Sequence, residues 1–461
     1  MDAKLRKVFP TEKYLGSIKE RGLFDLSGTD VNRIGLTRRG LLKSTAVLAS
    51  GLLLRNSSPG VFPKPLQRRD LLLDEMERRA CRYFYEQSNP DTGLVLDRAR
   101  ADGRDSRRVA SIAATGFGLS ALCIAADRRY LPPGLALQRV ERTLEFLARR
   151  SYNEHGFYFH FLDEVTGERA YRSEVSSVDT AWLLCGVIHA RQHFNTARIR
   201  VLANEILQRV DRTWMWDCGP TLCQGWTPER GFLPYRWDCY CELLAMYLLA
   251  IGSDSHPIPA AAWDAWKRPR VEEAGQPFIY SRAPLFVHQY SHAWLDFRNK
   301  RDKYADYFQN SRLATLRHRE FCLSLKAKYP WIDQDMWGIT ASDSRSGYVA
   351  WGNPIDAEEI DGTLVPCAAG GSLVFLPDEC SQVLETMLKR YGKQVWTRYG
   401  FVDAFQPQAD WSSPDVLGID LGIMLLMAEN LRSESLWNEM MSAPEVQRGF
   451  RAAGFEHYTA A

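Results

Sequence analysis

The chain has almost no net charge, no paired-cysteine metal motif and no long apolar run. Its 58 Lys and Arg nearly balance 56 Asp and Glu, leaving a formal charge of +2, and no long basic run follows residue 60. Nucleic-acid binding, which depends on neutralising phosphates, therefore has no support. The ten cysteines (81, 123, 185, 218, 223, 239, 241, 322, 367 and 380) never fall in CxxC pairs, so zinc-finger spacing is absent. A GxSxG elbow, a P-loop and a GxGxxG fingerprint are also missing, which removes the motif-based reasons to expect a nucleophilic serine or a nucleotide. The apolar stretch Ser44 to Leu54 falls short of the ~20 residues a membrane span needs.

That stretch follows Thr37-Arg38-Arg39-Gly40-Leu41-Leu42-Lys43 and precedes a Ser/Pro/Gly break. Twin arginines before a modest apolar segment predict a twin-arginine export signal and a periplasmic or secreted protein. Residues 1–55 read as leader and signal, 56–70 as a Ser/Pro-rich linker, and 71–461 as one domain.

What the chain does have is core-forming material: 45% hydrophobic residues and 14 Trp, most of the latter between periodic segments. Loop aromatics suit flat ligands such as sugar rings, and they also pack loops down. Cys81, Cys123, Cys185 and Cys322 sit in helical patterns and read as small buried hydrophobes. Cys218 and Cys223 are spaced to close a small disulfide loop.

From residue 71, apolar residues recur at helical spacing in about twelve segments. They are 71–88, 108–128, 134–151, 176–194, 196–214, 236–252, 259–268, 286–298, 303–326, 364–376, 379–393 and 416–432. The even segments are more apolar and rich in small residues, which marks buried helices; the odd ones carry a charged face. Inner helices inside amphipathic outer ones make an all-α, (α/α)6 barrel. The long loops, at 88–108, 151–176, 214–236, 268–286, 326–364 and 393–416, all open onto the mouth where the inner helices start. Gly156 to Leu162 with a turn at Thr166-Gly167 predicts a hairpin on that face.

Acids at the starts of even segments are the candidate chemistry. Asp179 follows Ser176 at capping-box spacing, so it serves as a cap or as a catalyst, whereas Glu174 lies outside the helix. Glu242 borders the apolar stripe Leu243, Leu244, Tyr247 and Leu248, and shares a helix face with Asp238. Burial there would favour its protonated form and suit a general acid. Asp420 is a costly charge in the apolar run Leu417-Gly418-Ile419-Asp420-Leu421-Gly422 unless it is paired or working. Asp415 can cap that helix, and the flanking glycines allow close approach of a backbone or ligand. His288 and His292 have two-histidine metal spacing but no HExxH frame and no evident third ligand, so no metal or other cofactor is expected for the chemistry. Substrate hydrogen bonding and ordinary core packing both fit them better. Glu358, Glu359 and Asp361 form an acidic loop cluster.

Several stretches carry a joint resemblance. They are Asn89 to Leu94, Ala110 to Leu119, Gly156 to Leu162, Glu174 to Thr180, Trp214 to Asp217, Tyr235 to Glu242, His288 to Arg298, Trp337 to Asp343 and Leu417 to Asp420. Across residues 71–455 the chain resembles the bacterial glucoamylase-like family, which overlaps glycoside hydrolase family 144, the endo-β-1,2-glucanases. The resemblance implies an (α/α)6 barrel and metal-free, inverting hydrolysis of β-1,2-linked glucan. It implies Glu242 as general acid, with Asp420, Glu174 and Asp179 activating water or holding sugar. His288, Gln289, Tyr290, His292, Trp226, Trp337 and Arg98 are the expected contacts to the oligo- or polysaccharide. Family members usually read Asp-Gln-Gly-Pro where this chain has Asp420-Leu421-Gly422-Ile423, and the stretch Tyr235-Arg236-Trp237-Asp238-Cys239-Tyr240-Cys241-Glu242 differs from the commoner Gly-Tyr-Asp-Glu. Two other functions fit the same fold: a non-catalytic glucan-binding protein, and a sugar isomerase or lyase using His288 or His292 as base.

Overall fold

The computed structural model describes residues 68–273, 275–351 and 360–458. The twin-arginine stretch, Glu358 and Glu359 lie outside the described residues. Ordered helix begins at Arg68, inside the expected linker.

Outer and inner helices alternate along the chain. Outer α1 (Arg68–Glu86) leads to inner α2 (Ile112–Asp127), and α3 (Pro133–Arg149) to α4 (Ser177–Phe194). Then α5 (Ala197–Arg209) and the short α6 (Arg212–Trp216) lead to α7 (Leu244–Ile251). A single 3-10 turn, Ala260–Trp263, holds the fourth outer position and precedes inner α8 (Tyr290–Trp294). After it come α9 (Tyr307–Ser324), α10 (Pro366–Gly370), α11 (Pro377–Val395) and α12 (Gly418–Arg432). Helices α13 (Ser435–Met441) and α14 (Pro444–Ala452) follow. The fold is an (α/α)6 barrel: α12 packs back on α2, which closes the ring.

Burial follows the sequence pattern. Every residue of α2 from Ile112 to Ala126 is buried, whereas α3 buries one stripe built on Val140, Leu144 and Leu147. α2 and α4 touch backbone to backbone. A Cβ on Gly186 would lie 2.1 Å from the Gly116 carbonyl oxygen, and one on Gly116 would lie 2.3 Å from the Trp182 carbonyl oxygen. Neither backbone can yield without separating the helices. Gly186→Ala is therefore expected to cost about 1–3 kcal/mol as an overpacked contact, read as a lower urea midpoint.

Four expected helices are cut short. The sixth was predicted over 236–252, but residues 236–243 bond elsewhere: Trp237 N–H to the Leu222 carbonyl (2.9 Å) and Tyr240 N–H to that of Lys267 (2.9 Å). Asp238 and Glu242 thus share no helix face. The seventh stops at Trp263, and beyond it Lys267 pairs with the 238–240 stretch, its N–H donating to the Asp238 carbonyl (2.8 Å). The eighth ends at Leu295, which is extended, and the tenth ends at Gly370 and Gly371.

Short strands bind the loops into a rim at the helix starts. β1 (Arg98–Arg100) pairs with residues 415–417, which lead into α12. β2 (Val109–Ser111), leading into α2, pairs with β3 (Phe161–Asp163). β4 (Val175–Ser176), leading into α4, pairs with β5 (Gly225–Thr227), and β5 with β6 (Gly231–Phe232). The predicted hairpin is present: Leu162 bridges Arg169 across a turn where the Asp163 carboxylate accepts the N–H groups of Val165 and Thr166.

All ten cysteines are free. The Cys218–Cys223 disulfide that the spacing would allow is not formed; the buried Cys223 Sγ accepts a hydrogen bond from Arg236 Nη1 (3.0 Å). Among the described residues no helix is long and apolar enough to cross a membrane.

Candidate active site

The start of α4 carries the first group of acids. Ser176 caps the helix by accepting the Asp179 N–H (3.2 Å), and its hydroxyl donates to Asp179 Oδ2 (2.5 Å). The reciprocal capping-box bond is not made, because Ser176 N–H donates to the Tyr158 carbonyl instead. Asp179 therefore has a second role. His160 Nδ1 lies 3.2 Å from Glu174 Oε1 and 3.7 Å from Asp179 Oδ2, so one histidine holds both carboxylates on the rim. The His160 ring is itself stacked on Phe161, with centroids 3.8 Å apart.

The start of α12 carries the second group. The strand leading into the helix makes no side-chain cap, since Gly418 N–H donates to the Asp97 carbonyl. Asp415 does not cap it as expected: its carboxylate is gripped by Arg107 at 2.6 and 2.9 Å. The glycines beside Asp420 serve packing rather than a ligand, since a Cβ on Gly422 would meet Phe117 at 2.4 Å and one on Gly418 would meet Ala114 at 2.8 Å. Asp420 is left in the first turn, buried and facing other acids.

Asp420 hydrogen-bonds with Asp403 and with the Cys367 thiol. Asp403 Oδ2 already accepts the Asp343 N–H (2.6 Å). Asp403 Oδ1 and Asp420 Oδ2 are both buried and meet no donor among the described residues. Two buried carboxyls that face each other, with these two oxygens meeting no other donor, favour sharing one proton over holding two charges. Burial, followed by the charges of Asp343 and Asp420, raises Asp403 well above the usual carboxylate range. Burial pushes Asp420 up to about 6, with the hydrogen bonds from Asp403 and Cys367 opposing the rise. Asp403 is the proton holder and Asp420 the carboxylate it serves.

A salt bridge anchors this pair. Arg98 Nη1 binds Asp343 Oδ1 (2.9 Å), and Ser413 Oγ donates to Asp343 Oδ2 (3.0 Å). Tyr348, opposite Asp343 in a strand hairpin, is close enough that Asp420 and Asp403 both disfavour its ionisation.

Glu242 sits in the turn before α7, at the edge of the core with 9% of its surface exposed. Ser291 sets that turn: its hydroxyl donates to the Glu242 carbonyl (3.1 Å) and accepts the Ala245 N–H (3.0 Å), tying the start of α7 to α8. Tyr290 feels the charge of both acids. Burial raises its hydroxyl well above the ordinary range, and the charges of Asp420 and Glu242 both add to the rise. Below it Phe117, Trp182 and Trp294 form an aromatic floor, the last two stacked 5.7 Å apart.

Several expected sugar contacts are core residues instead. Gln289 is fully buried and its amide donates to the Ala368 carbonyl (2.9 Å) and Ser372 Oγ (2.7 Å), joining α8 to α10. His292 is 1% exposed and bonds Ser311 Oγ (3.0 Å). His288 bonds Tyr240 Oη (3.1 Å). Burial holds both histidines down to about 3, neutral and enclosed, which leaves no accessible histidine base in this segment for an isomerase or lyase. Trp337 is fully buried and cannot stack on a sugar. More generally, eight tryptophans are buried and the other six half-buried, so the loop aromatics pack the rim down. Trp226 is half-buried on β5, opposite Val175 and leaning on Trp214. Arg98 is at the site, but as the partner of Asp343.

Sequence reasoning missed His160, Asp343, Asp403 and Tyr348. Asp403 carried the signal that singled out Asp420: an acid in an apolar run, Phe401-Val402-Asp403-Ala404-Phe405.

Known proteins share this fold. A family model described as "Putative glucoamylase" matches residues 234–444. A curated relative, the exo β-1,2-glucooligosaccharide sophorohydrolase (non-reducing end) of Parabacteroides distasonis, is 28% identical over 419 residues, or 82% of this chain. The chain spans 57% of the length of that relative. The endo-β-1,2-glucanase of Chitinophaga pinensis, solved with sophorotriose and glucose, superposes with a TM-score of 0.78 at 28% identity, covering 85% of this chain and 99% of that one. A solved Bacteroides caccae protein, described in the same words as the family model, superposes with a TM-score of 0.77 at 31% identity, covering 85% of this chain and all of that one.

Proposed function

Because the chain belongs to the glucoamylase-like family, we propose that it is an exported glycoside hydrolase cleaving β-1,2-linked glucan with inversion of configuration. The observation that carries this reading is the pair of buried acids at different inner-helix starts, Glu242 before α7 and Asp420 in α12, both near enough for their charges to act on the buried Tyr290 hydroxyl. Inversion needs an acid and a base ~6.5–9.5 Å apart with room for water, and acids on separate inner helices suit that spacing. The substrate class rests on the two β-1,2-glucan-cleaving relatives, and export on Arg38-Arg39.

Glu242 protonates the departing glycosidic oxygen. Asp420 takes a proton from the attacking water, and Asp403 donates a hydrogen bond that holds Asp420 ionised in a buried place. Arg98 and Asp343 fix Asp403 by salt bridge and backbone. Glu174 and Asp179, joined by His160, accept hydrogen bonds from sugar hydroxyls.

The test is incubation with linear β-1,2-glucan beside β-1,3-, β-1,4- and α-linked controls. New reducing ends should come from the β-1,2 polymer alone. Hydrolysis of another linkage in its place would overturn the substrate, and no hydrolysis of any would favour a glucan-binding protein.

A further inference from the structure

The far end of α2 and α4 holds a second cluster of ionisable side chains with no part in the chemistry above. Cys123 and Asp127 are four residues apart on α2, and His189 and His193 four apart on α4, so each pair projects from one helix face. Glu439 reaches them from α13. The cluster lies about 15–20 Å along α4 from Asp179, from the helix rise alone.

The donor atoms converge. Cys123 Sγ and one nitrogen each of His189 and His193 all lie within 4.8 Å of one another, as do donor atoms of Asp127, His193 and Glu439. His189 Nε2 is 3.1 Å from Glu439 Oε2, and His193 Nδ1 is 3.1 Å from Glu439 Oε1. His193 Nε2 is 3.7 Å from Asp127 Oδ1. Ligand atoms about 2.0–2.3 Å from a tetrahedral zinc stand roughly 3.3–3.8 Å apart, so small side-chain rotations would close each set on an ion.

Two details point to a cation rather than to hydrogen bonding alone. Glu439 Oε2 lies 3.1 Å from His189 Nε2 yet meets no donor in line, so that approach is not a well-aligned hydrogen bond. His189, 2% exposed, also has no partner at Nδ1. The donor set decides the ion. Imidazole with thiol sulfur suits zinc and disfavours magnesium and calcium, which take oxygen.

We propose that Cys123 Sγ and one ring nitrogen each of His189 and His193 hold a structural zinc ion, with Glu439, which lies 3.1 Å from a nitrogen of each histidine, turning in as the fourth ligand and Asp127 orienting His193. Binding releases the Cys123 thiol proton, now donated to the Leu119 carbonyl, to solvent. The ion ties the closing helix α13 to the two most tightly packed inner helices. The site is independent of the glucan reading, and its test does not use activity.

The untagged full chain, stripped with chelator, is loaded with zinc or cobalt(II) and passed through gel filtration. One zinc per chain should remain by elemental analysis. Bound cobalt(II) should give tetrahedral visible bands and a thiolate-to-cobalt charge-transfer band. Cys123→Ser should remove the charge-transfer band, and Glu439→Gln and His189→Ala should weaken zinc binding by about tenfold or more, with circular dichroism confirming that each variant folds. Failure of the folded wild type to retain either metal would leave an ion-paired histidine cluster and overturn the proposal. So would retention that all three variants leave unchanged.

Discussion

Glu242→Gln is expected to lower kcat on linear β-1,2-glucan by about 10²–10⁴-fold, the usual worth of a positioned general acid. KM should stay within a few-fold. The reason is local. Gln keeps the size and polarity of Glu but cannot deliver a proton. The turn that presents it is held through backbone, by Ser291 on the Glu242 carbonyl and the Ala245 N–H, so the substitution leaves the mount intact. Circular dichroism and urea midpoint should be unchanged. Near-wild-type turnover by a folded Glu242→Gln protein would remove Glu242 from the acid role.

Asp420→Asn should be equally inactive, because an amide cannot accept the proton of the attacking water. Its partner makes the expectation finer. A base held at about 6 works above that pH, so wild-type kcat/KM should fall roughly tenfold per unit as pH drops below 6. Asp403→Asn keeps a donor toward Asp420 and should keep this acid limb. Asp403→Leu removes the donor and should move the limb to higher pH while lowering kcat. A limb unmoved by Asp403→Leu would mean that Asp403 does not serve Asp420. Stability should run the other way. Asp420 ionises less readily in the folded chain than in the unfolded one, so its charge destabilises the fold above pH 6, and the penalty is relieved as pH falls through 6 toward 4. Asp420→Asn should therefore raise the urea midpoint at pH 7–8 and lose that advantage near pH 4, the pattern of a residue kept for function.

The barrel was legible because its inner helices are apolar all round. Ala110 to Ala126 reads as buried without any partner in view, and it is. The short inner helices were not legible, because what ends them is tertiary. The stretch before Glu242 has helical periodicity, yet its backbone is claimed by Leu222 and Lys267. The positions of Asp179, Glu242 and Asp420 at the rim followed from alternation alone, whereas the pairing of Asp420 with Asp403 did not. That contact joins the loop before α12 to the helix start, and only the folded rim shows that the two acids face each other in a buried place. The dense His288 to His292 segment misled for a related reason: polar residues on an inner helix can bond neighbouring helices, as Gln289 does to α10 and His292 to Ser311 of α9, and never reach the mouth. The tryptophans did the same, since loops over a buried sheetlike rim need large side chains to seal them.

Acid and base acting from opposite sides of one sugar leave a stereochemical record. The decisive measurement is proton NMR of the anomeric signals in the first minutes of β-1,2-glucan cleavage, before mutarotation. Attack by water activated at Asp420, with Glu242 protonating the leaving oxygen, predicts that the newly formed reducing end appears first as the α-anomer. First appearance as the β-anomer would mean retention through a covalent intermediate, and would contradict the division of roles between Glu242 and Asp420.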